Sequence, residues 1–257
     1  MEYQFQIQCD QGVYRSNNED AILYGIKLLE DATGNKNKIA WMVIADGMGG
    51  HNAGEVASEI LTKQVESAVE QLEIINEFDW NEWITQQFEF ANNKIFEQAQ
   101  DDSSQHGMGT TGVVAILVDN ETFVGWVGDS RGYWLGNSED SGAELEQITK
   151  DHTMVQLLVD KGAMTQEDAE KANNKNMLSR AVGIKSTIEV DTNQHALHRG
   201  DVLFLSTDGL HDSLSESQLI DYLTKASQGN PIGSQMLKDA ISAGSRDNIS
   251  FGSITMI

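Results

Sequence analysis

Along the chain the hydrophobic periodicity changes in an order that few architectures satisfy: strands, two helices, strands, two helices and a closing strand. Residues 4–9 alternate as Gln-Phe-Gln-Ile-Gln-Cys, the period-two pattern of a half-buried strand. A second strand, Ala21 to Leu29, is expected to turn at Gly34-Asn35 into a third, Ile39 to Ala45. A glycine-rich bend, Asp46-Gly47-Met48-Gly49-Gly50, then feeds a helix in which Val56, Ile60, Leu61, Val65, Val69 and Leu72 follow three-four spacing. Trp80, Ile84, Phe88, Ala91 and Ile95 form the stripe of a second helix, opened by Asp79 with Glu82 as a capping box. Strands return over 111–118, 123–127 and 132–135, the first two joined at Asp119-Asn120. A polar, helical stretch at about 153–180 precedes strands at 188–194 and 202–206. Helices at about 216–226 and 232–243, the second started near Pro231, lead to a final strand over 249–257. Antiparallel runs separated by helix pairs predict α+β layering rather than alternating βαβ units. The expected fold is a four-layer αββα sandwich, two antiparallel sheets face to face with a helix pair on each outer face.

There is no internal repeat, proline-rich linker or low-complexity block. With 257 residues, 39% of them hydrophobic, one domain spanning 1–257 is expected. The net charge of −23 disfavours nucleic acid and anionic membrane as partners, because both would be repelled. A phosphorylated substrate remains compatible if cations or arginines reverse the field locally. No apolar run approaches the roughly 20 residues of a membrane span. The opening MEYQFQIQCD is neither basic nor continuously apolar, so no signal peptide is expected. Cys9, the single cysteine, cannot form an internal disulfide. A cytoplasmic protein is the resulting expectation, and nothing in the sequence marks an oligomer interface, so a monomer is expected.

Three carboxylates sit at or near the end of an apolar strand with a glycine beside them: Asp46 in Val-Ile-Ala-Asp-Gly, Asp129 in Trp-Val-Gly-Asp-Ser, and Asp208 in Leu-Ser-Thr-Asp-Gly. Asp247 introduces the last strand, and Glu19 and Asp20 lie in the loop after the first. A lone Asp-Gly is ordinary turn chemistry. Several at strand ends are different, because such ends can converge on one edge of a sandwich. Two carboxylates about 4 Å apart repel by about 4 kcal/mol at an effective dielectric of 20. A cluster therefore needs protons, arginines or hard cations, and oxygen-only ligands select Mg²⁺, Mn²⁺ or Ca²⁺ over zinc.

The segments Arg15-Ser-Asn-Asn-Glu19-Asp20, Asp46-Gly47-Met48-Gly49-Gly50, Gly109-Thr110-Thr111, Gly128-Asp129-Ser130-Arg131, Asp151-His152, Ser206-Thr207-Asp208-Gly209 and Asp247-Asn248 occur in this order. Taken together the chain resembles the protein phosphatase 2C family, from about residue 8 to 256, and its bacterial branch in particular. The resemblance implies a metal-dependent phosphoserine and phosphothreonine phosphatase acting on phosphorylated proteins. It implies that Asp46 bridges two Mn²⁺ or Mg²⁺ ions, with the Gly47 carbonyl on one and Asp208 and Asp247 on the other. Glu19 and Asp20 would act through metal-bound waters, Asp129 with Asp208 would hold a third, weaker ion, and Arg15 would hold the substrate phosphate. Paired cations lower the pKa of a bridging water, and the hydroxide attacks phosphorus in line without a covalent enzyme intermediate.

The chain departs from the family pattern in two places. Met48 stands where animal members carry a histidine proposed as general acid, and a thioether cannot donate a proton. The segment at about 153–183 resembles the family's flap but reads Lys171-Ala-Asn-Asn-Lys-Asn176 in place of the usual His-Pro. His152 is read either as orienting substrate or as a structural loop residue. Trp41, Trp80, Trp83, Trp126 and Trp134 read as packing residues. The acidic surface reads as a solvated face that biases against acidic phosphopeptides.

Three rival readings stay open. Cys9-Asp-Gln-Gly12-Val-Tyr-Arg15 matches the Cys-x₅-Arg spacing of a thiol phosphatase, but such a loop must run from a strand into a helix. Here another strand is expected, and Cys9 shares a strand face with Phe5 and Ile7, as a buried thiol would. A non-catalytic binding module is expected to have lost one of Asp46, Asp208, Asp247 or Arg15, and all are present. A small phosphate ester as substrate instead of a phosphoprotein is not distinguishable at this level.

Overall fold

The computed structural model describes residues 2–31, 34, 36–49, 53–75, 79–138 and 142–257. Asn35 of the expected turn and Gly50 of the glycine-rich bend lie outside the described residues. In chain order the elements are β1 (Tyr3–Asp10), β2 (Asp20–Asp31), β3 (Lys36–Met48), α1 (Gly54–Glu70), β4 (Ile74–Ile75), α2 (Trp80–Asp101), β5 (Gly109–Thr110), β6 (Gly112–Val118), β7 (Glu121–Val127), β8 (Arg131–Ser138), β9 (Gly142–Gln147), α3 (Met154–Asp160), α4 (Gln166–Lys171), β10 (Asp191–Ala196), β11 (Val202–Ser206), α5 (Asp208–His211), α6 (Glu216–Ser227), α7 (Gly233–Ser242) and β12 (Ile249–Met256).

The strands form two sheets, ordered β1-β12-β11-β8-β9 and β10-β7-β6-β3-β2-β4, with β5 added to the end of β3. All named pairs are antiparallel except the short β2–β4 contact. Period-two geometry explains why the central strands read as continuous apolar runs: they are buried on both faces. On β3, Ala40, Met42 and Ile44 point into the layer between the sheets, together with Val113, Ala115 and Leu117 of β6 and Leu203 and Leu205 of β11. The alternate residues Ile39, Trp41, Val43 and Ala45 face α1 and α2, meeting Leu61, Val65, Ile84, Phe88 and Ile95. On the other outer face, Val202, Phe204, Ile249 and Phe251 pack under α6 and α7 through Leu219, Leu223, Met236 and Ala240. The result is the αββα sandwich expected from the periodicity.

Several boundaries differ from the sequence expectation. β3 continues through Asp46 and Gly47 to Met48, because Gly47 and Met48 find partners in Thr110 and Gly109. Only two short helices occupy the polar stretch after residue 153, and Gly162, at φ 68°, closes the first of them. The strand expected over 188–194 lies at Asp191–Ala196, and β9 was not foreseen. The segment between 153 and 183 is tied back at both ends. Met154 N donates to Met177 O, Ser179 N to His152 O, and Thr110 and Val182 exchange a pair of backbone bonds. Among the described residues no helix is long and apolar enough to cross a membrane.

Candidate metal centre

The sandwich brings the acidic strand ends to one edge. Asp20 opens β2 and is the direct cross-strand partner of Asp46 on β3, so the two carboxylates emerge on the same face. Like charges directly opposite one another destabilise a sheet, which makes this register a costly choice without a compensating charge. Asp46 is the next inward-facing position after Ala40, Met42 and Ile44, where the core between the sheets opens. Asp129 lies in the turn between β7 and β8, Asp208 follows β11 as the first residue of α5, and Asp247 precedes β12.

Small hydroxyl residues fix this edge. The Asp46 carbonyl accepts Thr111 N–H at 2.8 Å and Thr110 Oγ1 at 2.9 Å, and its own N–H donates to Thr111 Oγ1 at 3.0 Å. Thr111 Oγ1 in turn meets Ser130 Oγ at 2.6 Å, linking β3 to the loop that carries Asp129. Thr207 Oγ1 donates to Asp20 Oδ2 at 3.0 Å. Glycine at 47 is demanded by close approach: a Cβ there would lie 2.1 Å from Gly54 O and 2.6 Å from Glu19 O.

Arg15 reaches the same edge from the loop after β1, with its guanidinium 2.5 Å from Asp247 Oδ2. That loop is clamped by Asn248, whose Nδ2 donates to Gln11 O and Asn17 O, both at 2.9 Å, while its Oδ1 accepts Glu19 N–H at 2.9 Å. Gly12 completes the junction: its φ is 71°, and a Cβ would lie 2.4 Å from Asp247 O.

Electrostatically the carboxylates are under strain. Burial, first, and then the neighbouring carboxylates raise the pKa values of Asp20, Asp46 and Asp208 above the ordinary aspartate range. Asp129 is pushed up to about 8, mainly by burial and then by Asp208 and Asp151. Glu19 is raised by burial and by Glu55, a residue of α1 whose first-turn position reads simply as helix chemistry. Among the described residues no three His, Cys, Asp or Glu side chains are gathered as a ready-made ligand cage. Two carboxylate oxygens nonetheless stand buried without a hydrogen-bond partner, Asp208 Oδ1 and Glu55 Oε2. An all-oxygen donor set, mutual repulsion and an orphaned buried oxygen together fit a hard divalent cation.

The segment that departs from the family pattern touches this edge. Asn176 Nδ2 donates to Asp208 Oδ2 at 3.1 Å, and Lys175 Nζ pairs with Asp212 at 2.7 Å. Met48 lies two residues beyond Asp46 on β3 and carries no proton to give. His152 is buried; its Nδ1 accepts Gly128 N–H at 3.1 Å, Nε2 faces Asp191 at 3.3 Å, and the ring stacks on Trp126. These internal contacts favour its structural reading, as a brace for the Gly128-Asp129 turn. Arg131, also in the motif, donates to Asp151 through Nε and Nη2 and to the Tyr133 hydroxyl through Nη1.

Cys9 is corrected by the structure: the residue is exposed, not buried, although Asn18 and Ser250 close on its sulfur at 3.2 Å each. Partial burial of the sulfur raises its pKa, and Asp20 and Asp10 push it further. The loop after it runs into β2 rather than a helix. Both findings oppose a thiolate nucleophile.

The profile of the family described as protein phosphatase 2C matches residues 6–249. A serine/threonine phosphatase stp of Listeria welshimeri is 33% identical over 245 residues, covering 95% of this chain and 92% of its own length. The crystal structure of serine/threonine phosphatase Stp1 from Staphylococcus aureus superposes with a TM-score of 0.82 at 29% identity, covering 100% of this chain and 96% of that one. The catalytic domain of the phosphatase PstP in complex with two manganese ions gives a TM-score of 0.78 at 27% identity, with 98% and 97% covered.

Proposed function

The chain belongs to the protein phosphatase 2C family, and from that premise we propose a metal-dependent phosphatase of phosphoserine and phosphothreonine in proteins, built as one domain over 1–257 with a flap at about 153–183. The observation that carries this reading is that buried Asp46 lies within electrostatic reach of Asp20, Asp208, Asp129 and Asp247, each brought in by a different element or loop, with Asp208 Oδ1 buried and unpartnered. Asp46, Asp208, Asp247 and the Gly47 carbonyl would hold two Mn²⁺ or Mg²⁺ ions, Glu19 and Asp20 would act through water, and Asp129 with Asp208 would hold a third. When bound, such ions make a nucleophilic water available near neutral pH and neutralise phosphate charge.

The chain's own residues supply position. The Arg15 fork, now on Asp247, would trade part of that pairing for two phosphate oxygens, and Asn248 keeps its loop in register. Thr110 and Thr111 hold the Asp46 backbone so that its carboxylate does not have to find its orientation during turnover. Met48 gives no proton, so the leaving alkoxide takes one from water or another group. A single cysteine, which has no second thiol in the chain to pair with, fits a reducing cytoplasm.

The test is hydrolysis of a threonine phosphopeptide and of an aryl phosphate with Mn²⁺, with EDTA, and by Asp208→Asn and Cys9→Ser. Activity that needs the ion, falls with Asp208→Asn and survives Cys9→Ser is the expected result. Activity indifferent to EDTA and lost with Cys9→Ser would overturn the proposal, and turnover of the aryl ester or of phosphorylated metabolites alone would move the substrate class to small esters.

A further inference from the structure

We propose that Arg246, seated on the ring of Tyr14, is a specificity-determining residue that selects substrates bearing an anionic group beside the phosphorylated residue. The inference rests on the phosphatase reading and deepens it by naming a class of substrate.

Beside the carboxylate edge runs a cleft of about 460 Å³ whose walls carry three basic side chains, Arg15, Lys175 and Arg246, and three acidic ones, Asp208, Asp212 and Asp247. Each acid is already engaged within the cleft. Asp247 pairs with Arg15 at 2.5 Å, Asp212 with Lys175 at 2.7 Å, and Asp208 accepts from Asn176 at 3.1 Å. Asp208 and Asp247 are also the carboxylates assigned to cations. Arg246 differs from the other two bases: among the described residues no carboxylate lies within ion-pair distance of it. Its guanidinium instead stands 5.9 Å above the Tyr14 ring, and Tyr14 is itself 64% exposed. A cation resting on an aromatic face keeps its edge N–H groups free and loses less rotamer freedom when it binds.

Placement gives the group its meaning. Arg246 is the chain neighbour of Asp247, and Tyr14 is the chain neighbour of Arg15, so stacked and paired residues alternate across two loops. Those loops are locked together by the Gly12 approach to Asp247 O and by the Asn248 clamp. Arg15 and Arg246 line the same cleft, so with phosphate on Arg15 a flanking residue of the peptide, about 3.8 Å further along at Cα, would come within reach of Arg246. A carboxylate or a second phosphate there meets an unpaired fork. The net charge of −23 repels an acidic peptide at long range, but screening of about 8 Å at physiological salt leaves contact partners to decide selectivity. The expected preference therefore runs opposite to the bias read from overall charge.

The experiment compares kcat/KM for threonine phosphopeptides that differ only in flanking residues: neutral, glutamate, lysine, or the non-hydrolysable phosphonate analogue of phosphoserine within two positions on either side. Wild type, Arg246→Ala and Arg246→Glu are measured with Mn²⁺ at low and physiological salt. The readout is the ratio of anionic-flanked to neutral-flanked kcat/KM within each variant, so a loss common to both substrates cancels. Wild type should favour the anionic flank about two- to fivefold, the range of one exposed charge pair. Arg246→Ala should bring the ratio to about one, and Arg246→Glu should invert it toward lysine. The glutamate and phosphonate arms show which anion is preferred. A ratio unchanged across the three proteins overturns the proposal while leaving the phosphatase reading intact. Absence of turnover on every peptide by wild type overturns both.

Discussion

Removing the Asn248 side chain should loosen the cleft, because one residue carries three bonds between distant parts of the chain. Asn248→Ala deletes donations to Gln11 O and Asn17 O and the acceptance from Glu19 N–H, each 2.9 Å long, at a residue only 4% exposed. Each such bond contributes about 0.5–1.5 kcal/mol net. Gln11 is exposed and Asn17 and Glu19 are half-buried, so water recovers part of the loss, which places the total at about 2–3 kcal/mol. For a chain of this size 1 kcal/mol shifts the melting midpoint by about 2–4 °C, so a drop of about 4–12 °C is expected. Arg15 and Glu19 sit on the freed loop, and a misplacement of about 1 Å costs up to about a hundredfold in rate. The assay is thermal unfolding by circular dichroism with kcat/KM on one phosphopeptide, calibrated by Asn193→Ala, which deletes a single bond to Ile148 O. A midpoint within about 2 °C of wild type together with intact kcat/KM would refute the clamp.

Burial and then Arg180 hold the His152 imidazole below its ordinary pKa, so the unfolded chain binds that proton more readily than the folded one. The stability it contributes is complete above about pH 6.5 and is lost as pH falls below it; His152→Gln should flatten the midpoint-versus-pH curve between about pH 7 and 5, and an unchanged slope would count against the assignment. Phe88 is fully buried between α2 and the sheet, and Phe88→Ala should cost about 3–5 kcal/mol in urea unfolding, a loss under about 1 kcal/mol contradicting the packing described. Asn176→Ala removes the bonds to Asp208 and Asp212 and should speed amide exchange over residues 172–178 while moving the global midpoint little; unaltered exchange would show that Asn176 does not hold the segment.

The four layers were legible because the central strands and the helix stripes carry unambiguous periods. β11 was placed to the residue, since five buried apolar or small positions end at Thr207-Asp208. β9 was invisible: Gly-Ala-Glu-Leu-Glu-Gln is an edge strand held by its pairing with β8, and its only large apolar residue is Leu145. β10 was displaced for a similar reason, being an edge strand whose burial alternates and whose residues are polar. At the site, Asp46, Asp129 and Asp208 could be nominated from their Asp-Gly or Gly-Asp context, and Asp20 and Asp247 from the resemblance to the family. The Asp20–Asp46 opposition could not, because it depends on the β2–β3 register. Nor could the Asn248 clamp or the reach of Asn176 to Asp208, which join residues far apart in sequence. Arg246 and Tyr14 acquire their relation only when the two loops meet.

The carboxylate edge as a divalent-cation site is tested most directly by calorimetric titration of Mn²⁺ into metal-stripped protein, comparing wild type with Asp46→Asn and Asp129→Asn. The account predicts two tightly held ions and a weaker third in wild type, loss of tight uptake with Asp46→Asn, and loss of the weak uptake alone with Asp129→Asn. No saturable uptake by wild type, or tight uptake that survives Asp46→Asn unaltered, would contradict it.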